Sequence, residues 1–228
     1  MLKWIVRGVA ALLALFLLYQ LWIFGHIVYW KWNNPATTAF MDEQQARLAE
    51  TNPDAELRYR WVDYGRISPQ LKRAIVASED AKFLQHEGFD WEGIQTAWEK
   101  NLQKGRIVAG GSTISQQLAK NLFLSSRRTP WRKAEEALIT VMLEAVMDKR
   151  RIFEIYLNVI EWGDGVFGAE SAARHYYRVP ASRLSAGQAA KLAAMVPNPR
   201  YYDTHRNDRT LLRKTKIIQR RMNFVAIP

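Results

Sequence analysis

The chain has 228 residues, with 33 basic against 22 acidic side chains for a formal charge of +11, and no cysteine. That length holds one good-sized domain with a short appendage, and the ordinary apolar content excludes wholesale disorder. Missing cysteines exclude disulfides, thiolate chemistry and cysteine-built zinc sites, while the positive balance favours an anionic partner: nucleic acid, anionic lipid or a phosphorylated substrate.

Residues 9–30 (VAALLALFLLYQLWIFGHIVYW) contain no Asp, Glu, Lys or Arg. As a helix they span about 33 Å at ~1.5 Å per residue, enough to cross a bilayer core. Trp22, Tyr29, Trp30 and Trp32 gather toward one end as an interfacial belt would. Lys3 and Arg7 precede the run, a bias that puts the N-terminus in the cytoplasm and the rest outside it. No small-residue cleavage pattern follows, so a removed signal peptide fits less well than an anchor. A buried helix of a soluble domain is the other competitor. Residues 1–32 are therefore expected to be a cytoplasmic tip and single transmembrane helix. Residues 33–57 mix Pro, Thr and Asn with a short polar helical pattern and read as a linker or membrane-proximal segment. Residues 59–64 (YRWVDY) resemble a brief strand. Across residues 58–228 the pattern is mostly helical, punctuated by glycine loops.

Ser68 and Pro69 form a helix start, an N-cap followed by proline in the first turn. Leu71, Ile75 and Glu79 then follow at intervals of four, so Glu79 extends an apolar row. A carboxylate so placed is costly to desolvate, which makes it a candidate for chemistry; the competing reading is a helix end whose acids, Glu79 and Asp80, face water. Residues 91–103 read as another helix, followed by KGRIVAGG. In GGSTISQQLAKN (110–121), Thr113 and Gln116 have capping-box spacing. Such a glycine turn offers helix N–H groups to an anion, with Lys120 adding charge; a plain capped helix is the alternative.

Residues 132–147 place Ala134, Ala137, Leu138, Val141, Met142 and Ala145 on a broad apolar face and Arg132, Lys133, Glu136, Thr140 and Glu144 in a narrow polar stripe. A helix this apolar is expected to be buried, its polar stripe lining a cleft. The alternative is an Arg132–Glu136 ion pair on a solvated strip. Helical spacing continues through 148–158 and returns in the alanine-rich 186–195. The basic tail 210–222 reads as a core-packed terminal helix, with a lipid-facing basic surface as the alternative.

Four of these segments resemble the family 51 glycosyltransferases, specifically the monofunctional biosynthetic peptidoglycan transglycosylases. They are ED-x-x-F-x-x-H-x-G at 79–88, GGST-x-x-QQ-x-x-KN at 110–121, RK-x-x-E at 132–136, and YLN with its trailing glycines at 156–168. The likeness runs from about residue 67 to 202. Arg178 and Val179 stand where the family more often has glycine and lysine, and Gln188 where it has glutamate.

The resemblance implies a mainly α, lysozyme-like glycosyltransferase domain behind a single transmembrane helix. It implies polymerisation of lipid II into β-1,4-linked strands with inversion and release of polyprenyl diphosphate. Glu79 matches the general base and Glu136 the second essential glutamate. Ser112, Gln117, Lys120, Arg132 and Lys133 match groups that hold sugar and diphosphate, with Asp80 beside the base and Asn158 of YLN in the same set. A divalent cation (Mg2+ or Mn2+) accompanying the diphosphate is the one cofactor implied; no organic cofactor is. Expected partners are lipid II, the growing glycan strand, the membrane and cell-wall synthesis or division proteins, with no nucleic acid. Expected placement is the cell inner membrane with the catalytic domain periplasmic. The chain has no Ser-x-x-Lys or Lys-Thr-Gly, the motifs of penicillin-binding transpeptidases. The rival readings are a lytic transglycosylase or muramidase and an anchored polyanion-binding scaffold.

Overall fold

The computed structural model describes residues 1–106, 110–127 and 129–228. Residues 107–109 of the KGRIVAGG run and Arg128 lie outside that set. Helix α1 (Leu2–Trp30) is apolar along its length and mostly exposed, with Gln20, Ile23 and Ile27 forming the one stripe that is buried against the domain. It is long and apolar enough to cross a membrane. The buried-helix alternative does not survive that exposure.

The segment expected as a linker instead holds α2 (Ala39–Thr51), capped by Thr38 through the Met41 N–H. Met41 and Gln44 are buried, and α2 packs on α5 (Ile114–Phe123). The strand expected over residues 59–64 shrinks to β1 (Arg58–Tyr59), which pairs in parallel with β3 (Val166–Phe167). Strand β2 (Glu161–Gly163) completes the small sheet in the order β1-β3-β2.

Helix α3 (Pro69–Glu79) starts where Ser68 and Pro69 place it, with the Ser68 hydroxyl accepting from the Gln70 N–H. It packs against α9 (Ala186–Met195). Ala189, Ala190, Ala193 and Ala194 are buried there, and their lack of bulk lets the two helices approach closely. Helix α11 (Arg209–Arg221) packs on α9 and also meets α3, burying Leu211 and Ile218, so the basic tail is core-packed as expected. On the far side of the domain α5 packs against α6 (Pro130–Val146) and α7 (Lys149–Val159). Phe83, Phe153, Tyr156, Trp162 and Phe167 fill the centre with no exposed surface. Helices α4 (Trp91–Lys104), α8 (Ala169–Tyr177) and α10 (Pro199–Thr204) complete the domain.

The facing of α6 departs from expectation in one half: the polar stripe lines a cleft as expected, but the apolar face is not buried. Leu138 and Val141 of the apolar face are exposed, while Glu136, Thr140, Ile139 and Leu143 are buried. The neighbour explains it: α1 lies along α6, with the Phe16 and Trp131 rings 6.4 Å apart, so the apolar surface continues that of a helix long and apolar enough to cross a membrane. The polar stripe turns inward, toward a cleft.

Two of the family departures find local accounts. Gln188 serves Ser185 in a capping box, a role either an amide or a carboxylate fills. Arg178 ends α8 at φ 56°, the one positive φ among the described non-glycine residues. A side chain at that left-handed position is strained, and glycine is not. Arg178→Gly is expected to raise stability by about 1 kcal/mol, seen as a higher thermal midpoint; an unchanged or lower midpoint would assign the side chain a compensating contact.

Candidate active site

Glu79 ends α3 beside the N-terminal half of α5, at the meeting of two cavities. One, of about 500 Å³, is lined by Glu79, Ser112, Gln117, Lys120, Arg132, Lys133 and Glu136, with Phe40, Arg200 and Pro197 closing its walls. The other, of about 390 Å³, has Ser78, Glu79 and Ser112 on one side and Lys214, Ile217 and Arg221 of α11 on the other. Seven of the nine sequence-assigned residues thus share one cleft, and the two glutamates face the same space.

The Glu79 carboxylate is held from both sides. Ser78 Oγ donates to its Oε1 at 3.1 Å and Gln117 Nε2 to its Oε2 at 3.0 Å. Gln117 Oε1 in turn accepts from the Tyr156 hydroxyl at 2.9 Å. Burial raises the Glu79 pKa above the ordinary carboxylate value; the two donors and Lys214 pull against that, and Asp80 adds to it. Burial likewise pushes Tyr156 well above the usual phenol value, with Glu79 and Asp80 reinforcing it, so this hydroxyl stays a donor.

Asp80 is buried beneath the cleft. It accepts from the Ile114 N–H at 3.0 Å, and His86 Nε2 lies 3.0 and 3.1 Å from its two oxygens. It therefore joins the start of α5 to the loop that follows α3. Gly88 in that loop has φ 89°, and a Cβ would stand 2.7 Å from Thr140 Cγ2, so the close approach of loop to α6 requires glycine.

The first turn of α5 is the plain capped helix. Thr113 and Gln116 exchange both capping-box bonds, and Asp80 takes the Ile114 N–H. With these donors engaged, anion binding falls to side-chain cations. Glu136 is buried on α6, accepting from Arg132 Nη1 at 2.8 Å and paired with Lys133, whose Nζ also donates to Ser112 Oγ at 3.2 Å. The Arg132–Glu136 pair exists, on a cleft wall instead of a solvated strip. Thr129 caps this helix and Pro130 opens it, which sets Arg132, Lys133 and Glu136 on the first two turns.

Asn158 stands apart and is a correction. Its side chain is fully buried: Oδ1 accepts from the Val62 N–H, and Nδ2 donates to the Val62 and Glu154 carbonyls. With both ends of the amide on backbone, it fastens α7 to the chain after β1 and reaches no ligand. Tyr156, Arg200, Lys214 and Arg221 were missed by the sequence reading. Tyr156 lay in a recognised motif; the other three carried only the signal of a basic residue near a proline turn or in a basic tail.

The transglycosylase family matches residues 44–223, more than three-quarters of the chain. The chain belongs to that family. It is 72% identical over 219 residues to the biosynthetic peptidoglycan transglycosylase of Chromobacterium violaceum, covering 96% of each chain. Identity is 65% over 222 residues to the protein of that name from Methylobacillus flagellatus (97% of each chain) and 61% over 226 residues to that from Nitrosospira multiformis (99% and 98%). The transglycosylase cleft is thus built by residues inside the matched region, with Phe40 added from just before it.

A divalent cation fits this cleft poorly as a protein-held ion. No group of three His, Cys, Asp or Glu side chains that could hold a metal occurs among the described residues, and both Glu136 oxygens already face cations. No step below is routed through one.

Proposed function

We propose that this transglycosylase polymerises lipid II into β-1,4-linked glycan strands, releasing polyprenyl diphosphate with inversion at the anomeric carbon. The observation that carries the reading is the shared cleft: a carboxylate of raised pKa, Glu79, lines the same cavity as Lys120 and a buried Glu136 paired with Arg132 and Lys133. Inversion needs the acceptor hydroxyl and the leaving diphosphate on opposite faces of the donor sugar. Glu79, lying between the two cavities, suits the acceptor face. It removes the 4-hydroxyl proton as the bond forms, and a base held above the ordinary carboxylate range does so more readily near neutral pH. Opposite it, the cations stabilise charge that develops on the departing diphosphate, in a setting where bulk water is partly excluded. Glu136 holds Arg132 and Lys133 at the spacing that receives it.

A lipid-linked substrate also accounts for the anchor. Single-pass insertion in the cell inner membrane, with Lys3 and Arg7 cytoplasmic and the catalytic domain periplasmic, puts the cleft beside the substrate's own bilayer. The exposed Trp131, Leu138 and Val141 on α6, the helix that α1 lies along, suit contact with that bilayer. Peptide crosslinking and any division or elongation partner belong to other proteins.

Incubating the purified full chain with lipid II tests the reading. Lengthening strands with release of polyprenyl diphosphate support it; intact lipid II alongside shortening of preformed strands would establish the lytic alternative.

Tyr156→Phe probes the support of the base. Loss of the hydroxyl frees the Gln117 amide to turn and weakens a bond that lowers the Glu79 pKa. The acid limb of the rate profile is expected to move to higher pH, with kcat near neutrality down about tenfold and KM little changed. An unshifted limb would reduce Tyr156 to packing.

A further inference from the structure

The domain end of α1 carries a third cavity, of about 610 Å³, lined by Trp22, Gly25, His26, Tyr29, Trp30 and the turn through Asn34, Ala36 and Thr37. Its lining contains no Asp, Glu, Lys or Arg. Rings form its walls: His26 lies 4.3 Å from Trp22 and 5.5 Å from Trp30, centre to centre. Gly25 keeps one side open, since a Cβ there would meet nothing within 4 Å.

This groove adjoins the cationic cleft through aromatic side chains. Phe123, one turn beyond Lys120 on α5, has its ring 5.2 Å from that of Trp30 and 6.3 Å from that of Trp22. Phe40, three residues after Thr37, walls the cleft and lies with its ring 5.8 Å from Lys120 Nζ. Apolar rings therefore stand between the cationic cleft and the domain end of α1.

We propose that this groove binds the first isoprene units of the prenyl diphosphate substrate and guides its chain from the cleft into the bilayer. The inference rests on the lipid-linked donor reading above and adds where the chain lies. A prenyl chain has no hydrogen-bonding group, so only an apolar surface recognises it, and burial there scales with the area removed from water. Its first units are fixed in place by the diphosphate, which must sit among Lys120, Arg132 and Lys133. A helix of another protein would have no reason to begin at those cations, and a bulk phospholipid brings a single phosphodiester charge to a cleft that presents three cations, where a prenyl diphosphate brings two phosphates.

The test uses the full chain in liposomes, with lipid II bearing either its natural prenyl chain or, as the short chain, a single methyl group on the diphosphate. Gly25→Trp puts an indole into the groove from a position whose Cβ meets no neighbour within 4 Å. It is expected to lower the preference in kcat/KM for the long chain over the short one by about tenfold, the loss of contact to one or two chain carbons. Gly8→Trp, on the same helix and equally unobstructed, should keep the wild-type preference. A preference unchanged in Gly25→Trp, or lowered as much in Gly8→Trp, overturns the groove. A wild type that polymerises neither substrate overturns the lipid-linked reading instead. Labelling with a photoreactive prenyl diphosphate then still decides the groove: label within residues 22–37, displaced by prenyl diphosphate and not by phospholipid, supports it. Label elsewhere, or label displaced equally by phospholipid, overturns it.

Discussion

Glu79→Gln is expected to lower lipid II polymerisation by ~10²-fold or more, while the domain stays folded and becomes more stable. The loss follows from the chemistry: an amide keeps the shape, its oxygen accepting from Gln117 and its NH2 donating to the Ser78 hydroxyl, but it cannot take a proton from the acceptor hydroxyl. The gain follows from linkage. Burial holds the folded-state pKa of Glu79 above its unfolded value. Below the ordinary carboxylate pKa both states carry the proton and the site is neutral in its effect. As pH rises through the window up to the raised value, the unfolded chain releases its proton first, so stability falls. Glutamine removes that penalty. Thermal unfolding of wild type and variant should therefore diverge as pH rises from the acid side, with the variant higher. Near-normal turnover would refute the base; a variant less stable than wild type near neutrality would refute the desolvated carboxylate.

Glu136→Gln is expected to cut kcat by about 10²-fold with KM unchanged or lower. Glu136 neutralises part of the charge on Arg132 and Lys133 and fixes where they point. With a neutral amide in its place, the cleft holds more net positive charge and binds diphosphate at least as well in the ground state. The cations then lose the arrangement that favours the transition state, which appears in kcat. A rise in KM at constant kcat would make Glu136 a uniform binding group. Stability should also drop, by about 1–3 kcal/mol, less than for a sealed buried pair, because Lys133 is half exposed and the cleft is open. Assay well below the unfolding transition separates the two effects.

What could be read before folding was local. Ser68–Pro69, the Thr113–Gln116 box and the charge-free run ending at Trp30 each declare their structure within a few residues, because caps and bilayer thickness act at that range. Glu79 was marked by lying in an apolar row, and the cleft lining of the α6 polar stripe by its narrowness. What was hidden depended on partners distant in the chain. Gln117 is 39 residues from Tyr156, and nothing in either segment says that one amide links phenol and base. Asn158 sits in a motif with the reactive groups, yet its amide is taken by the Val62 backbone, 96 residues away. The outward apolar face of α6 was misread because apolar surface was assumed to face a protein core; beside a membrane anchor, lipid serves as well. Residues 33–57 read as a linker or membrane-proximal segment, but a single ring, Phe40, brings them into the site.

A crystal structure of the full chain with a methylene-bridged, non-cleavable lipid II analogue bears most directly on the division of labour between the two acids. Both phosphorus atoms are expected among Lys120, Arg132 and Lys133, with the sugar between them and the Glu79 carboxylate. A diphosphate held by Lys214 and Arg221 alone, with the anomeric carbon turned away from Glu79, would contradict it.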